Sequence, residues 1–104
     1  MLITSLYIYL MEDALVTLKT IYEIVKNEAN PETYLCSARE IILRQFNGWD
    51  VIENHLKLLE EREFVVVKHL DKIAISITQL GIGEVKSGVT LREKLAKNSN
   101  KISD

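Results

Sequence analysis

Apolar residues recur along this chain with two different periods, and the switch between them divides it into elements. After Glu12 and Asp13, the residues Leu15, Leu18, Ile21, Tyr22 and Val25 fall on one side at helical spacing. The helix they predict runs to about Glu28, because Asn30-Pro31 breaks it. Ahead of it, Met1 to Met11 reads MLITSLYIYLM, apolar and uncharged. If the helix extends backward, Leu2, Leu6, Tyr9 and Leu10 join the same side. A strand over Met1 to Leu10 is the alternative, because Ile, Thr and Tyr are common in strands.

A second helix is predicted from Ser37. Ser37-Ala38-Arg39-Glu40 is an S-x-x-E capping box, in which hydroxyl and carboxylate each satisfy an orphan backbone N–H. Ile41, Ile42 and Phe46 supply its buried face, and Asn47-Gly48 ends it. Asp50-Val51-Ile52-Glu53 repeats the capping logic and opens a third helix that ends near Arg62. Val51, Ile52, Leu56 and Leu59 line one side of it; Asp50, Glu53, Asn54, Lys57 and Glu61 line the other. The period then becomes two. Val65, Val67 and His69 alternate with Val66 and Lys68, and Ile73, Ile75 and Ile77 alternate with Ala74 and Ser76, as in a β-hairpin. A three-residue loop, Leu70-Asp71-Lys72, sets His69 opposite Ile73, Val67 opposite Ile75 and Val65 opposite Ile77. An even loop would set Lys68 against an isoleucine on the buried face. Thr78 caps a last helical segment with Ile82, Val85, Val89, Leu91 and Leu95, which Gly81, Gly83 and Gly88 weaken; a break is expected near Ser87-Gly88. The polar stretch 98–104 reads as a flexible tail.

Length and composition fit one domain over residues 1–104, with 1–13 as an apolar N-terminal extension. The net charge of −2 hides an asymmetry. Residues 33–63 hold four basic and six acidic side chains, whereas residues 64–104 hold seven basic and four acidic, so a polyanion would sit best on the C-terminal part. The apolar opening is too short to span a membrane, which takes about 20 residues. It also lacks the basic flank and small-residue cleavage site of a signal peptide. Buried in the domain or against a second subunit, it makes Leu2, Leu6 and Leu10, with Leu91 and Leu95, candidates for a dimer interface. The lone Cys36 excludes an intrachain disulfide. It packs as a small apolar residue or bridges two copies, and a cytoplasmic setting is the default.

The order of helix, helix, tight turn, helix, hairpin and helix gives a mainly α fold with a two-stranded wing. HLKLLEEREFVVV, from His55 to Val67, resembles the end of the recognition helix and the first wing strand of winged helix-turn-helix DNA-binding transcription regulators. ISITQLGIGE, from Ile75 to Glu84, resembles their second wing strand and the T-x-x-G start of their last helix. The resemblance covers Leu15 to about Leu95, and the whole looks like small dimeric archaeal regulators of this class. It implies double-stranded DNA as partner, a homodimer joined through terminal helices, and a third helix in the major groove with the wing on the adjacent backbone. Carried onto this chain, the groove-facing set is Trp49, Asp50, Glu53, Asn54 and Lys57, and the wing set is Lys68, Leu70, Asp71 and Lys72. Trp49 has an alternative role, plugging the gap between second and third helices. Hydrogen-bonding capacity and charge narrow the expected contacts to Arg39, Arg44, Asn54, Lys57, Lys68 and Lys72, with Lys94, Lys97 and Lys101 as outliers.

The third helix is net acidic, which favours a second reading: a winged-helix module that docks onto protein and leaves DNA alone. Other chemistry finds little support. His55 and His69 lie in no metal-binding spacing and read as surface or boundary residues. Gly81-Ile82-Gly83 lacks the strand–turn–helix context of a phosphate loop, and no nucleophile motif accompanies Cys36. No cofactor and no catalytic activity are therefore expected.

Overall fold

A computed structural model of the chain describes residues 2–87, with side chains from residue 9 onward. The first element, α1, is one continuous helix over Leu2–Val25. The apolar opening is thus helical, and the strand alternative is set aside. At about 1.5 Å per residue, α1 is roughly 36 Å long. Met11, Ala14, Thr17, Leu18, Ile21 and Val25 form its buried stripe, recurring every three to four residues. Tyr9 and Leu10 are exposed, so the stripe does not continue into the domain core at the N-terminal end. Past Val25 the ladder tightens: the Lys26 N–H still reaches the Tyr22 carbonyl (2.8 Å), but the Glu28 N–H turns to Val25 (2.9 Å). A single 3₁₀ turn over Pro31–Thr33 follows.

Strand β1, Cys36–Ser37, is an addition to the expected two-stranded wing. It pairs antiparallel with β3, Ile73–Ile77, with Cys36 opposite Ile75 and Ser37 opposite Ala74. With β2, Val65–His69, the sheet has three strands in the order β1-β3-β2. Two residues are too few to show an alternation, so β1 arises from pairing with the hairpin and not from local pattern. The hairpin register is as expected: Val65 faces Ile77, Val67 faces Ile75 and His69 faces Ile73. Val65, Ile75 and Ile77 on that face are buried, and Cys36 joins them there through its pairing with Ile75.

Helix α2 covers only Ala38–Ile42. Its capping box forms as predicted. Ser37 Oγ accepts from the Glu40 N–H (3.1 Å), and Glu40 Oε1 accepts from the Ser37 N–H (2.9 Å). The expected extension to Asn47 does not occur. The Arg44 and Gln45 N–H groups bond three residues back, to Ile41 and Ile42, and the chain unwinds. Phe46, expected on the buried face, is fully exposed. Helix α3, Trp49–Glu61, starts from Gly48 with no side-chain cap, so Asp50 is a first-turn residue and not the cap. Its carboxylate there faces the positive end of the helix dipole. Ile52, His55, Leu56 and Leu59 face inward, whereas Val51 is 38% exposed.

Helix α3 ends in a Schellman arrangement. The Phe64 N–H reaches the Leu59 carbonyl and the Glu63 N–H reaches Glu60, both at 2.9 Å. This requires the left-handed region at Glu63, whose φ is 62°. Helix α4, Gln79–Lys86, is capped by Thr78, which accepts from the Gly81 N–H (3.0 Å). The Thr78 hydroxyl donates to the Glu63 carbonyl (2.6 Å), and the Thr78 N–H donates to that of Phe64 (2.9 Å). The end of α3 and the start of α4 are thereby knotted together. A Cβ at Gly81 would collide with the Phe64 carbonyl oxygen. The helix stops at Ser87, where the break was expected; Val89, Leu91, Leu95 and the polar tail lie outside the described residues. The described residues form a mainly helical α/β fold, four α-helices around a three-stranded antiparallel sheet. No helix among them is long and apolar enough to cross a membrane.

Two substitutions at this junction should act in opposite directions. Gly81→Ala forces the Phe64 carbonyl aside and should cost about 1–3 kcal/mol. Glu63→Gly removes the left-handed penalty and should raise stability by roughly 0.5 kcal/mol after the glycine's larger unfolded-state entropy is subtracted. Urea unfolding midpoints of the two variants check both.

Candidate nucleic-acid interface

The inward side of α3 is committed to the core, so the residues about 180° away face solvent. Asp50, Glu53, Asn54, Lys57, Glu60 and Glu61 are all exposed. Trp49 is half-buried at the first position of the helix and packs against the core cluster. Glu60 Oε2 accepts the Val67 N–H (3.4 Å), which fastens the outer edge of β2 to α3. The hairpin therefore projects beside α3, with Lys68, His69, Leu70, Asp71 and Lys72 exposed. Arg39 is exposed on α2 and Arg44 in the turn that follows. Arg44 lies within electrostatic reach of Glu23 on α1 and of Glu40.

The six expected contact residues are thus all at the surface, spread over α2, the turn, α3 and the hairpin. None of Arg39, Arg44, Lys57, Lys68 and Lys72 makes an ion pair with another described residue. The outer face of α3 itself carries more carboxylates than cations, with Asp50, Glu53, Glu60 and Glu61 around Lys57. Neither a family model nor a curated protein matches the chain.

Of the residues expected at a dimer interface, Leu10 is 45% exposed. Leu2 and Leu6 lie on the α1 backbone, but their side chains are outside the description, as are Leu91 and Leu95. Lys94, Lys97 and Lys101 are outside it too. Cys36 is fully buried in the core, and burial, with Glu40 second, pushes its thiol up to about 12. A bridge between two copies needs this side chain at the surface, so the structure favours the packing role over the bridge. Beside it, the Tyr34 hydroxyl donates to Glu40 Oε2 (3.0 Å), which engages both oxygens of that carboxylate.

His55 departs from the surface or boundary role expected of it. It is 7% exposed, and its Nδ1 lies 2.7 Å from Thr17 Oγ1 on α1. Burial lowers its pKa below the usual 6.5, against a smaller opposing attraction from Asp13. Gln45 Nε2 donates to Thr17 Oγ1 (3.1 Å) and Thr20 Oγ1 (3.0 Å), so the turn after α2 is tied to the same cluster. A signal for this existed in the sequence: Thr17 stands inside the apolar stripe of α1, where a hydroxyl needs a partner. His69 remains exposed. Among the described residues no three His, Cys, Asp or Glu side chains converge as a metal site. A cleft of about 470 Å³ is lined by Glu28, Ala29, Asn30, Thr33, Tyr34 and Leu35. Glu28 is its single carboxylate, and the Tyr34 hydroxyl is already engaged with Glu40.

The capping carboxylate has a testable pH signature. The Ser37 N–H, followed by the Tyr34 and Ser37 hydroxyls and Arg44, holds Glu40 below the usual 4.5. A depressed folded-state pKa contributes stability that is present above about 4.5 and lost as pH falls through the folded value. Glu40→Gln should therefore be less stable than the parent at pH 7, with the gap closing in acid. Thermal unfolding at pH 7, 5 and 3 reads it.

Proposed function

We propose that this chain is a winged helix-turn-helix transcription regulator that binds duplex DNA as a homodimer. The observation that carries the reading is the arrangement around α3. A short capped helix and a tight turn precede it, an antiparallel hairpin fastened to it by Glu60 follows it, and its outer face is open to solvent. A helix in this position fits the major groove, and a hairpin beside it reaches the adjacent backbone. Arg39, Arg44, Lys68 and Lys72 make no ion pair with another described residue and suit phosphate contacts, while Asn54 suits an adenine edge and Lys57 a guanine edge or a phosphate. The third strand supports the same reading, since β1 joins the start of α2 to the hairpin and makes helix and wing one body.

A second reading has its own observation. The outer face of α3 is acidic, and Leu43 and Phe46 stand exposed on the turn before it. Such a surface suits a protein partner with basic and apolar groups. An electrophoretic mobility assay on random and genomic duplexes at two salt concentrations separates the two, because phosphate contacts make DNA affinity fall steeply with salt. Under the DNA reading, Arg44→Ala and Lys72→Ala weaken binding evenly across sequences, each flattening the salt slope by about one unit. Asn54→Ala should instead relax preference at one base position. No retardation of any duplex at low salt would discard the DNA reading.

The homodimer rests on the uncharged first turns of α1 and the exposure of Tyr9 and Leu10 beyond the core. Replacing Leu6 and Leu10 together by lysine should leave a folded monomer, as measured by sedimentation velocity at micromolar concentration. A parent chain that sediments as a monomer would end this part of the proposal. To engage successive major grooves, the two α3 helices of the dimer must stand about 34 Å apart.

A further inference from the structure

Helix α1 carries a second row of apolar positions, turned away from the core. Leu2, Tyr9 and Val16 stand seven residues apart, close to two full turns, so they share one side of the helix. At 3.6 residues per turn that side lies opposite Met11, Ala14, Leu18 and Ile21. Tyr9 and Val16 are accordingly 55% and 60% exposed. A seven-residue apolar row is the kind of seam along which two helices pair. Its character changes along its length. Residues 2–11 hold no charge, whereas Glu12, Lys19 and Glu23 stand on the same side further along. The turn after α2 meets α1 at the Val16 end of the row. Gln45 donates there to Thr17 (3.1 Å) and Thr20 (3.0 Å), and the Thr20 hydroxyl donates to the Val16 carbonyl (3.1 Å). Phe46, the next residue of that turn, is fully exposed.

From this row we infer that the uncharged first turns of a second copy's α1 cover Tyr9, Val16 and the adjoining Phe46, the two helices running antiparallel about a two-fold axis at Tyr9. Position 9 then meets its own copy, and Leu2 of each helix faces Val16 of the other. The row is self-complementary in this register, as a two-fold interface requires. Charge sets the direction. In a parallel pair Glu12, Lys19 and Glu23 would each face its own copy, and like charges across a seam oppose pairing. In the antiparallel pair Glu12 and Asp13 fall opposite Leu6 and Ser5, which carry no charge. Lys19 and Glu23 lie beyond the end of the other helix and stay in water. Area points to the inclusion of Phe46. A stable interface takes about 800 Å² from each partner. Tyr9 and Phe46 offer roughly 300 Å² of it as aromatic surface. The remainder falls to aliphatic side chains, with Leu10 and Val16 exposed beside them and Leu2 and Leu6 at the start of the helix. The inference rests on the homodimer reading and adds its register; it is independent of whether α3 binds DNA.

Cysteine substitutions along the row read the register directly, because Cys36, the native thiol, is buried. Under mild oxidation of the full chain, Tyr9→Cys should give a disulfide-linked dimer on a non-reducing gel, since the two copies of position 9 meet at the axis. Val16→Cys alone should remain unlinked, whereas its equimolar mixture with Leu2→Cys should give the mixed dimer. Should Tyr9→Cys fail to fold, that mixture decides the register. Phe46→Ser should keep the circular dichroism of the parent and weaken association about tenfold in sedimentation velocity across a concentration series. In a parent chain that sediments as a dimer, self-linking of Val16→Cys shows a parallel pair and overturns the inference. Failure of a folded Tyr9→Cys to link, or an unchanged dimer affinity in Phe46→Ser, overturns it too, and in each case the homodimer itself stands. A monomeric parent chain removes the homodimer reading and this inference together.

Discussion

Every other element depends on the buried stripe of α1. Helix α2 has five residues and α4 has eight, and isolated helices under about 12–15 residues do not hold in water. A two-stranded hairpin is marginal by itself too. Each becomes stable by covering Met11, Ala14, Leu18, Ile21 and Val25. The residues that share this core are Ile41 from α2, Ile52, Leu56 and Leu59 from α3, Ile75 and Ile77 from β3, and Ile82 from α4. At about 25 cal/mol per Å² of buried apolar surface, this one interface outweighs any local capping or ion-pair contribution. The described ion pair of Lys26 with Glu23 is exposed and adds little by comparison.

The second constraint is the knot of Glu63, Phe64, Thr78 and Gly81. It fixes both ends of the hairpin at the base: β2 leaves from the Phe64 carbonyl that Thr78 holds, and β3 runs into Thr78 itself. β1 clamps the middle of β3 from the other edge. What remains free of packing is the tip, Leu70 to Lys72. The hairpin is accordingly a rigid projection with a small polar end. The left-handed Glu63 is strain accepted at the one place where the chain must turn directly from α3 into β2.

Much of this architecture was legible in the sequence wherever side-chain chemistry acts locally. The Ser37–Glu40 box, the Thr78 cap and the odd hairpin loop each follow from a few neighbouring residues, and each stands where it was expected. Misreadings arose where a distant partner decides. β1 exists because β3 is beside it. α2 stops early where Gln45 bonds to threonines on α1, more than 20 positions back, and Phe46 lies outward in the same turn. His55 is buried because Thr17 meets it across 38 positions. The exposure of Asn54, Lys57 and Lys68 followed from helical and strand phase, and that of Lys72 from its place in the hairpin loop. Their ligand did not, because phase says which side a residue faces and nothing about what meets it.

The polar tie at Gln45 has a consequence for the surface. An apolar anchor such as a buried Phe46 would make the shape of the α2–α3 turn depend on core packing, and core changes of a single methylene are felt. Hydrogen bonds from one amide to two threonines hold the turn by direction instead. Positions 43 and 46 are then relieved of packing duty, while Asn47 Nδ2 donates to Gln45 Oε1 (3.4 Å). Substitution at 43 or 46 should alter what the surface presents while leaving the core shared by α1 and α3 as it is. The turn that leads into α3 is therefore a part of the molecule whose exposed apolar positions can change cheaply, with Gln45 as its side-chain tie to α1.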